Sequence, residues 1–119
     1  MSKIIELPLF SDERGKLVVI EKVLGFDIKR IYFIYDIKGL RGGHRHLKTK
    51  QALLCIKGKC KVYIENPDGK LNIILDSPTK CILLEPEDWH TIESMEKDTV
   101  ILVIASEYYD KSDYITERY

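Results

Sequence analysis

Short strand-like runs recur along nearly the whole chain, and they limit the possible folds more than any other feature. Runs rich in Ile, Val, Leu and Tyr cover residues 3–8, 16–21, 28–37, 51–56, 60–65, 70–75, 80–84, 90–95 and 99–105. Many alternate apolar with polar residues, the period of a strand with one buried face. Turn chemistry separates them. In Asn66-Pro67-Asp68-Gly69, proline pre-sets φ and glycine accepts the positive φ that closes a hairpin. Lys57-Gly58-Lys59 and Asp76-Ser77-Pro78 mark two further tight connections. Helical periodicity with caps is missing; only Ser112-Asp113 offers a start, for one or two turns in the tail. The expected architecture is all-β, a sandwich or closed barrel with a short C-terminal helical tail.

The chain's 119 residues suffice for one domain with one core, expected to span residues 1–119. Nineteen basic against nineteen acidic side chains give no net charge, which argues against bulk binding to nucleic acid or an anionic membrane. A small basic pocket for one phosphorylated ligand remains compatible with that balance. The sequence has no apolar run of membrane-spanning length and no signal-peptide pattern. Cys55, Cys60 and Cys81 lack metal-type spacing, and two of them sit inside apolar runs. Reduced, mostly buried thiols in a cytoplasmic protein are expected.

Within this β pattern, Gly42-Gly43-His44-Arg45-His46 carries the chemistry. Histidines at i and i+2 on a strand point to one side of the sheet, here the inside of a barrel. Two imidazoles facing a cavity point to a metal site or to proton transfer. His44-x-His46, then Gln51, then Gly58 has the spacing of the first cupin motif, with glutamine where metal-binding cupins usually carry glutamate. Pro86-Glu87-Asp88-Trp89-His90 resembles the second motif, with aspartate in place of its glycine and the histidine one residue early. A one-residue offset turns a side chain to the opposite face unless a bulge intervenes. Iron or manganese wants a hard carboxylate oxygen beside its imidazoles, and the neutral Gln51 amide replaces it poorly. Metal-free chemistry is the expectation.

A closer resemblance runs from about residue 11 to residue 115. It rests on Arg41-Gly42-Gly43-His44-Arg45-His46-Leu47-Lys48, Gln51-Ala52-Leu53-Leu54-Cys55, Trp89-His90 and Ile28-Lys29-Arg30-Ile31-Tyr32-Phe33-Ile34. The most specific part is the ending, Ala105-Ser106-Glu107-Tyr108-Tyr109-Asp110-Lys111-Ser112-Asp113-Tyr114-Ile115. The sequence resembles the sugar 3,4-ketoisomerases, cupin enzymes that act on dTDP-4-keto-6-deoxyglucose. The resemblance implies a single jelly-roll barrel, no metal and no other cofactor. It also implies a homodimer in which the N-terminal strands, residues 1–9, are exchanged. One local feature supports the exchange: Lys3-Ile4-Ile5-Glu6-Leu7-Pro8 is a short apolar strand that could complete a neighbour's sheet.

The implied reaction removes the C3 proton of a 4-ketohexose, forms an enediol and returns a proton to C4. The adjacent carbonyl acidifies the C3 hydrogen, and a base with a pKa near neutrality suits the task. By resemblance His44 is that base, while His46 orients His44 or the sugar, or carries a proton between the oxygens. Tyr32 and Gln51 are candidate donors to the enediolate oxygen; the plainer alternatives are barrel lining for Tyr32 and bracing of His46 for Gln51. Arg30 and Arg41 suit the diphosphate, since a guanidinium presents a planar fork to phosphate oxygens. Trp89 could stack on thymine or sugar, or could simply pack; Tyr108 and Tyr109 fit a dimer interface. Arg14 and His90 match relatives that form the galacto product, whereas gluco-forming relatives carry tyrosine and arginine there. The implied product is dTDP-3-keto-6-deoxygalactose, a precursor of an aminodeoxysugar for glycan or lipopolysaccharide. Three alternatives compete: a nucleotide-sugar 3,5-epimerase, a metal-dependent cupin dioxygenase and a non-catalytic sugar-binding cupin. The epimerase normally pairs a histidine with an aspartate and a tyrosine, and no such spacing is evident.

Overall fold

The computed structural model describes residues 3–119. Its strands are β1 (Lys3–Glu6), β2 (Leu9–Asp12), β3 (Gly15–Val18), β4 (Arg30–Ile34), β5 (Leu40–His46) and β6 (Gln51–Lys57). Then follow β7 (Cys60–Asn66), β8 (Gly69–Leu75), β9 (Lys80–Leu84), β10 (Trp89–Ser94), β11 (Val100–Ala105) and β12 (Tyr114–Ile115). One five-stranded sheet has the order β1-β9-β6-β11-β4 and a second the order β12-β5-β10-β7-β8. The two face each other as a jelly-roll barrel, all-β as the sequence predicts, while β2 and β3 form a separate hairpin.

The sequence pattern explains which sheet is covered. Ala52-Leu53-Leu54-Cys55 is an unbroken apolar run because β6 is buried on both faces. Leu53 and Cys55 point into the barrel with Val62, Ile64, Ile82 and Ile101. Ala52 and Leu54 point outward, where Leu7, Leu24 and the half-buried Val18, Ile20 and Phe26 cover them. Leu7 and the segment from Val18 to Phe26 thus cover the outer face of the first sheet. Each fully buried leucine there contributes about 1.5–3 kcal/mol relative to exposure. In this single chain β1 pairs with its own β9, Ile5 opposite Cys81.

Two glycines set the register that matters for function. Along β5 and β10, His44 pairs with His90, but Thr91 pairs with Gly42, so Gly43 is an extra, bulged residue. Gly42 and Gly43 have φ of 88° and 81°, values that favour glycine. A Cβ on Gly42 would lie 2.7 Å from the His90 carbonyl oxygen. The bulge carries Arg41, three residues before His44, back to the inner face, opposite Ile92.

The helical tail expected after Ser112 is a single 3-10 turn, Lys111–Asp113, capped by Asp110, whose carboxylate accepts from the Ser112 N–H at 3.0 Å. It stops because Tyr114 is extended and pairs with His46 as β12. Edge pairing thus outcompetes the local helix signal. No helix is long and apolar enough to cross a membrane among the described residues.

Candidate active site

Strand alternation along four walls builds one polar cavity of about 360 Å³. Arg30, Tyr32 and Ile34 face it from β4, at i, i+2 and i+4. Gln51 and Leu53 enter from β6, His90 and Ile92 from β10, and Arg41 and His44 from either side of the β5 bulge. Tyr114 of β12 closes the mouth, its ring 4.7 Å from that of His44 and 4.6 Å from that of His46. Among the described residues no carboxylate lines this cavity. The displaced second-motif histidine faces inward without a bulge in its own strand: His90 pairs with the core residue Ile64 in an unbroken β10–β7 register and lies 5.1 Å from His44 between ring centroids.

The three histidines are held in different ways. His44 is half-buried; burial first, then the neighbouring His46, pushes it down to about 4, against a bond to the Gly42 backbone. That lies well below the near-neutral value expected of a base. The difference is physical: an imidazolium beside two other rings in a dry cavity is poorly solvated. His90 is buried, which also pushes it down to about 4, and its Nδ1 lies 3.0 Å from the Asp88 carbonyl oxygen. Burial lowers His46 too, although Asp113 pulls the other way. Its Nδ1 lies 2.8 Å from Asp113 Oδ2.

Asp113 is a hub. Its carboxylate accepts from His46, the Leu47 N–H at 3.1 Å, the Lys48 N–H at 2.8 Å and the Thr49 hydroxyl. Burial alone would raise its carboxyl, but the bonds from Thr49, Lys48 and His46 hold it below the usual carboxylate range. Across the cavity, the Gln51 side-chain amide lies 3.2 Å from the Tyr32 hydroxyl. Burial raises the Tyr32 phenol, so it stays protonated at neutral pH. Arg30 lies over the Tyr32 ring, 5.1 Å from its centroid, and its Nη2 reaches the Tyr114 hydroxyl at 3.5 Å. No group of three or more His, Cys, Asp or Glu side chains among the described residues is arranged to hold a metal ion.

The family model for FdtA (WxcM-like, C-terminal) matches residues 1–119. The TDP-4-oxo-6-deoxy-alpha-D-glucose-3,4-oxoisomerase of Aneurinibacillus thermoaerophilus is 41% identical, over 98% of this chain and 86% of that protein. The chain belongs to the FdtA family of sugar 3,4-ketoisomerases. Solved ketoisomerases agree. QdtA from Thermoanaerobacterium thermosaccharolyticum, in complex with TDP, superposes with a TM-score of 0.92 at 36% identity, covering 98% of this chain and 88% of that one. A 3,4-ketoisomerase from Helicobacter canadensis gives a TM-score of 0.92 at 32% identity, covering 98% and 90%. These likenesses favour the ketoisomerase reading over the epimerase, dioxygenase and non-catalytic alternatives.

Of the residues singled out in this ketoisomerase sequence, Tyr32, Arg30, Arg41, His44, Gln51 and His90 meet at the cavity. His46 stands behind it, beside His44. Trp89 and Arg14 are elsewhere. The Trp89 ring is buried beneath the C-terminal tail, its Nε1–H donating to the Thr116 carbonyl and its face covered by Arg118. It neighbours His90 in sequence and so points to the other side of β10. Arg14 is on the exposed β2–β3 hairpin, paired with Asp12. The sequence reading gave Asp113 and Tyr114 no role, although both lie in the most specific motif. The His46–Asp113 pair spans 67 positions, too far for spacing rules to find.

Proposed function

We propose that this ketoisomerase moves the keto group of dTDP-4-keto-6-deoxyglucose from C4 to C3, with His44 as the general base. One observation carries the assignment: among the described residues the cavity has no lining carboxylate, and His44 is a neutral imidazole on its wall. His44 takes the C3 proton, the C3–H electron pair becomes the enediol double bond, and the former carbonyl oxygen takes up charge. The C3 hydroxyl proton passes to that charged oxygen, which becomes the C4 hydroxyl. The proton on His44 then returns at C4 as the enediolate electron pair closes onto it, and C3 becomes the ketone. Arg30 and Arg41, both cationic and both on the cavity wall, hold the diphosphate. Tyr32 and Gln51 meet the sugar oxygens. All of this uses side chains alone, so the reaction requires neither metal nor redox cofactor.

The product is dTDP-3-keto-6-deoxygalactose. In the substrate's chair the C3 hydrogen lies on the lower face, and a galacto product places the new C4 hydrogen on that same face. His44 can then make both transfers. His90 is buried and tied through Nδ1 to the Asp88 carbonyl oxygen, a fixed ring where a second donor would otherwise stand. The enzyme works as a homodimer of single-domain chains that exchange residues 1–9. The exposed apolar side chains of Ile31 and Phe33 on edge strand β4, of Tyr35 just after it, and of Phe10 and Leu17 on the hairpin, suit such an interface. Arg14, remote from the cavity of its own chain, suits a role at the partner's. Three buried free thiols fit a reducing, cytoplasmic setting and a biosynthetic step toward an aminodeoxysugar for surface glycans.

Incubating the protein with dTDP-4-keto-6-deoxyglucose and trapping the product with an aminotransferase tests this reading. A small H4 coupling in the trapped sugar is expected; a large axial–axial coupling would move the enzyme to the gluco branch. Light scattering should give about twice the chain mass. Deleting the first eight residues should give monomer or aggregate; a stable, active monomer would rule out the exchange.

A further inference from the structure

Three polar atoms behind the cavity wall are buried without a partner: His46 Nε2, Gln51 Oε1 and Arg30 Nε. The first two belong to side chains within hydrogen-bonding reach of each other. The His46 Nδ1 proton is committed to Asp113, so a neutral His46 presents a bare acceptor at Nε2. Gln51 faces it with a carbonyl oxygen, a second acceptor, because its nitrogen is turned to Tyr32. Two buried acceptors facing each other are costly. Amide oxygen and nitrogen have nearly the same shape, and a half-turn about the last side-chain bond exchanges them. After that half-turn both orphans are paired: the Gln51 N–H donates to His46 Nε2, and its oxygen accepts the Tyr32 O–H.

We propose that Asp113, His46, Gln51 and Tyr32 form one hydrogen-bonded chain across the barrel mouth, in which Asp113 and His46 are positioning residues that dictate the direction of the Tyr32 hydroxyl. Every proton in it points toward Asp113. The Tyr32 oxygen is then left with its lone pairs toward the cavity, where it accepts from a sugar hydroxyl and does not donate to the carbonyl. That distinguishes the oxygen that carries a proton from the one that does not, the distinction on which a ketone shift depends. His46 Nε2 is closed to solvent, so His46 acts through Gln51 and does not touch the sugar. The chain also ties the C-terminal tail to catalysis, since Asp113 ends the 3-10 turn that leads into β12. The proposal rests on the ketoisomerase reading for its substrate, but the hydrogen-bond directions are measurable without one.

The test is nitrogen NMR of the full-length protein labelled at histidine and glutamine, with turnover measured beside it. In the wild type, His46 should carry its proton on Nδ1, with Nε2 accepting from the Gln51 amide. In Asp113→Asn the asparagine amide can donate to Nδ1, so the proton should move to Nε2, turning Gln51 and releasing the Tyr32 hydroxyl into the cavity. kcat should fall roughly 10-fold to 100-fold, by analogy with the loss of an outer hydrogen-bond partner from a metal-binding histidine, while TDP affinity stays near wild type. A wild-type His46 protonated on Nε2 would overturn the proposal, as would an Asp113→Asn protein that keeps the wild-type tautomer and kcat. Should Asp113→Asn fail to fold, the wild-type spectrum decides alone. A wild-type protein without ketone migration would overturn the isomerase reading, and the His46 tautomer would still decide the chain.

Discussion

The same strands build two very different ends of one barrel. Along β4 the inward residues pass from Arg30 and Tyr32 to Ile34; along β6 they pass from Gln51 to Leu53 and Cys55; along β10 from His90 to Ile92. At the closed end the side chains are apolar and fully packed, and neighbours of similar size could substitute for one another. At the open end buried polar groups must each find a partner or bear a cost. There the residues are specified atom by atom: the Asp113 carboxylate takes four hydrogen bonds, and the direction of one Gln51 amide decides whether Gln51 and His46 are paired or orphaned. One end therefore sets stability and the other sets chemistry, and the comparison fails if a substitution at one end produces the other's effect.

The largest effect belongs to the open end. His44→Asn should lower kcat by roughly 10² to 10⁴, the contribution of a positioned general base. TDP affinity should change little, since Arg30 and Arg41 remain; kcat and a TDP dissociation constant on the same variant check this. Retained turnover would move the base elsewhere. At the closed end, Ile101→Ala removes a fully buried side chain and should cost about 2–5 kcal/mol in denaturant unfolding. Its folded fraction should keep the wild-type kcat, and a specific loss of kcat would blur the division.

Gly42→Ala should do both kinds of damage. The strained φ and the 2.7 Å approach to the His90 carbonyl should cost about 1–3 kcal/mol. Because the bulge turns both Arg41 and His44 inward, kcat should fall with stability. Gly58→Ala, at the β6–β7 turn, would place a Cβ 2.5 Å from the Thr99 hydroxyl oxygen and should lower stability alone.

A smaller effect follows from the histidines. His44 and His90 are pushed from the usual imidazole value of 6.5 to about 4, so between those values the unfolded chain binds more protons than the folded one. Stability should therefore fall as pH drops from 6.5 toward 4 and stay flat above that window. In kinetics, the acid limb of kcat/KM, which reports the free enzyme, should lie near 4. The limb of kcat should lie higher, because a bound diphosphate anion favours the imidazolium. The smallest expected effect is none: overnight EDTA should leave activity intact, and added iron, manganese or zinc should not raise it. Activity lost to chelator and restored by one metal would bring back a metal-assisted enediolate.

The apolar half was the more legible one. Alternation and turn residues marked most strands, since burial acts on residues adjacent in sequence. The motif glycines and His44-x-His46 exposed much of the cavity for the same reason. What stayed hidden depends on contacts made late in the chain. Asp113 meets His46 only because β12 crosses the mouth, and the bulge that turns Arg41 and His44 the same way is set by the Gly42 backbone passing β10. Trp89 left stacking and packing equally open in the sequence; alternation sends its ring to the opposite face from His90, under Arg118. The β2 strand escaped because all four of its residues are exposed and leave no burial pattern.

The most direct test is to run the wild-type reaction on dTDP-4-keto-6-deoxyglucose in D2O and follow it by NMR. Transfer by His44 from C3 to C4 predicts a ketone at C3 and an undisturbed hydrogen at C5. The new C4 position should hold the former C3 hydrogen, with deuterium there only as far as the proton held on His44 exchanges with solvent. A ketone that stays at C4 while deuterium enters C3 and C5 would contradict the account and place the open end of this barrel in epimerase chemistry.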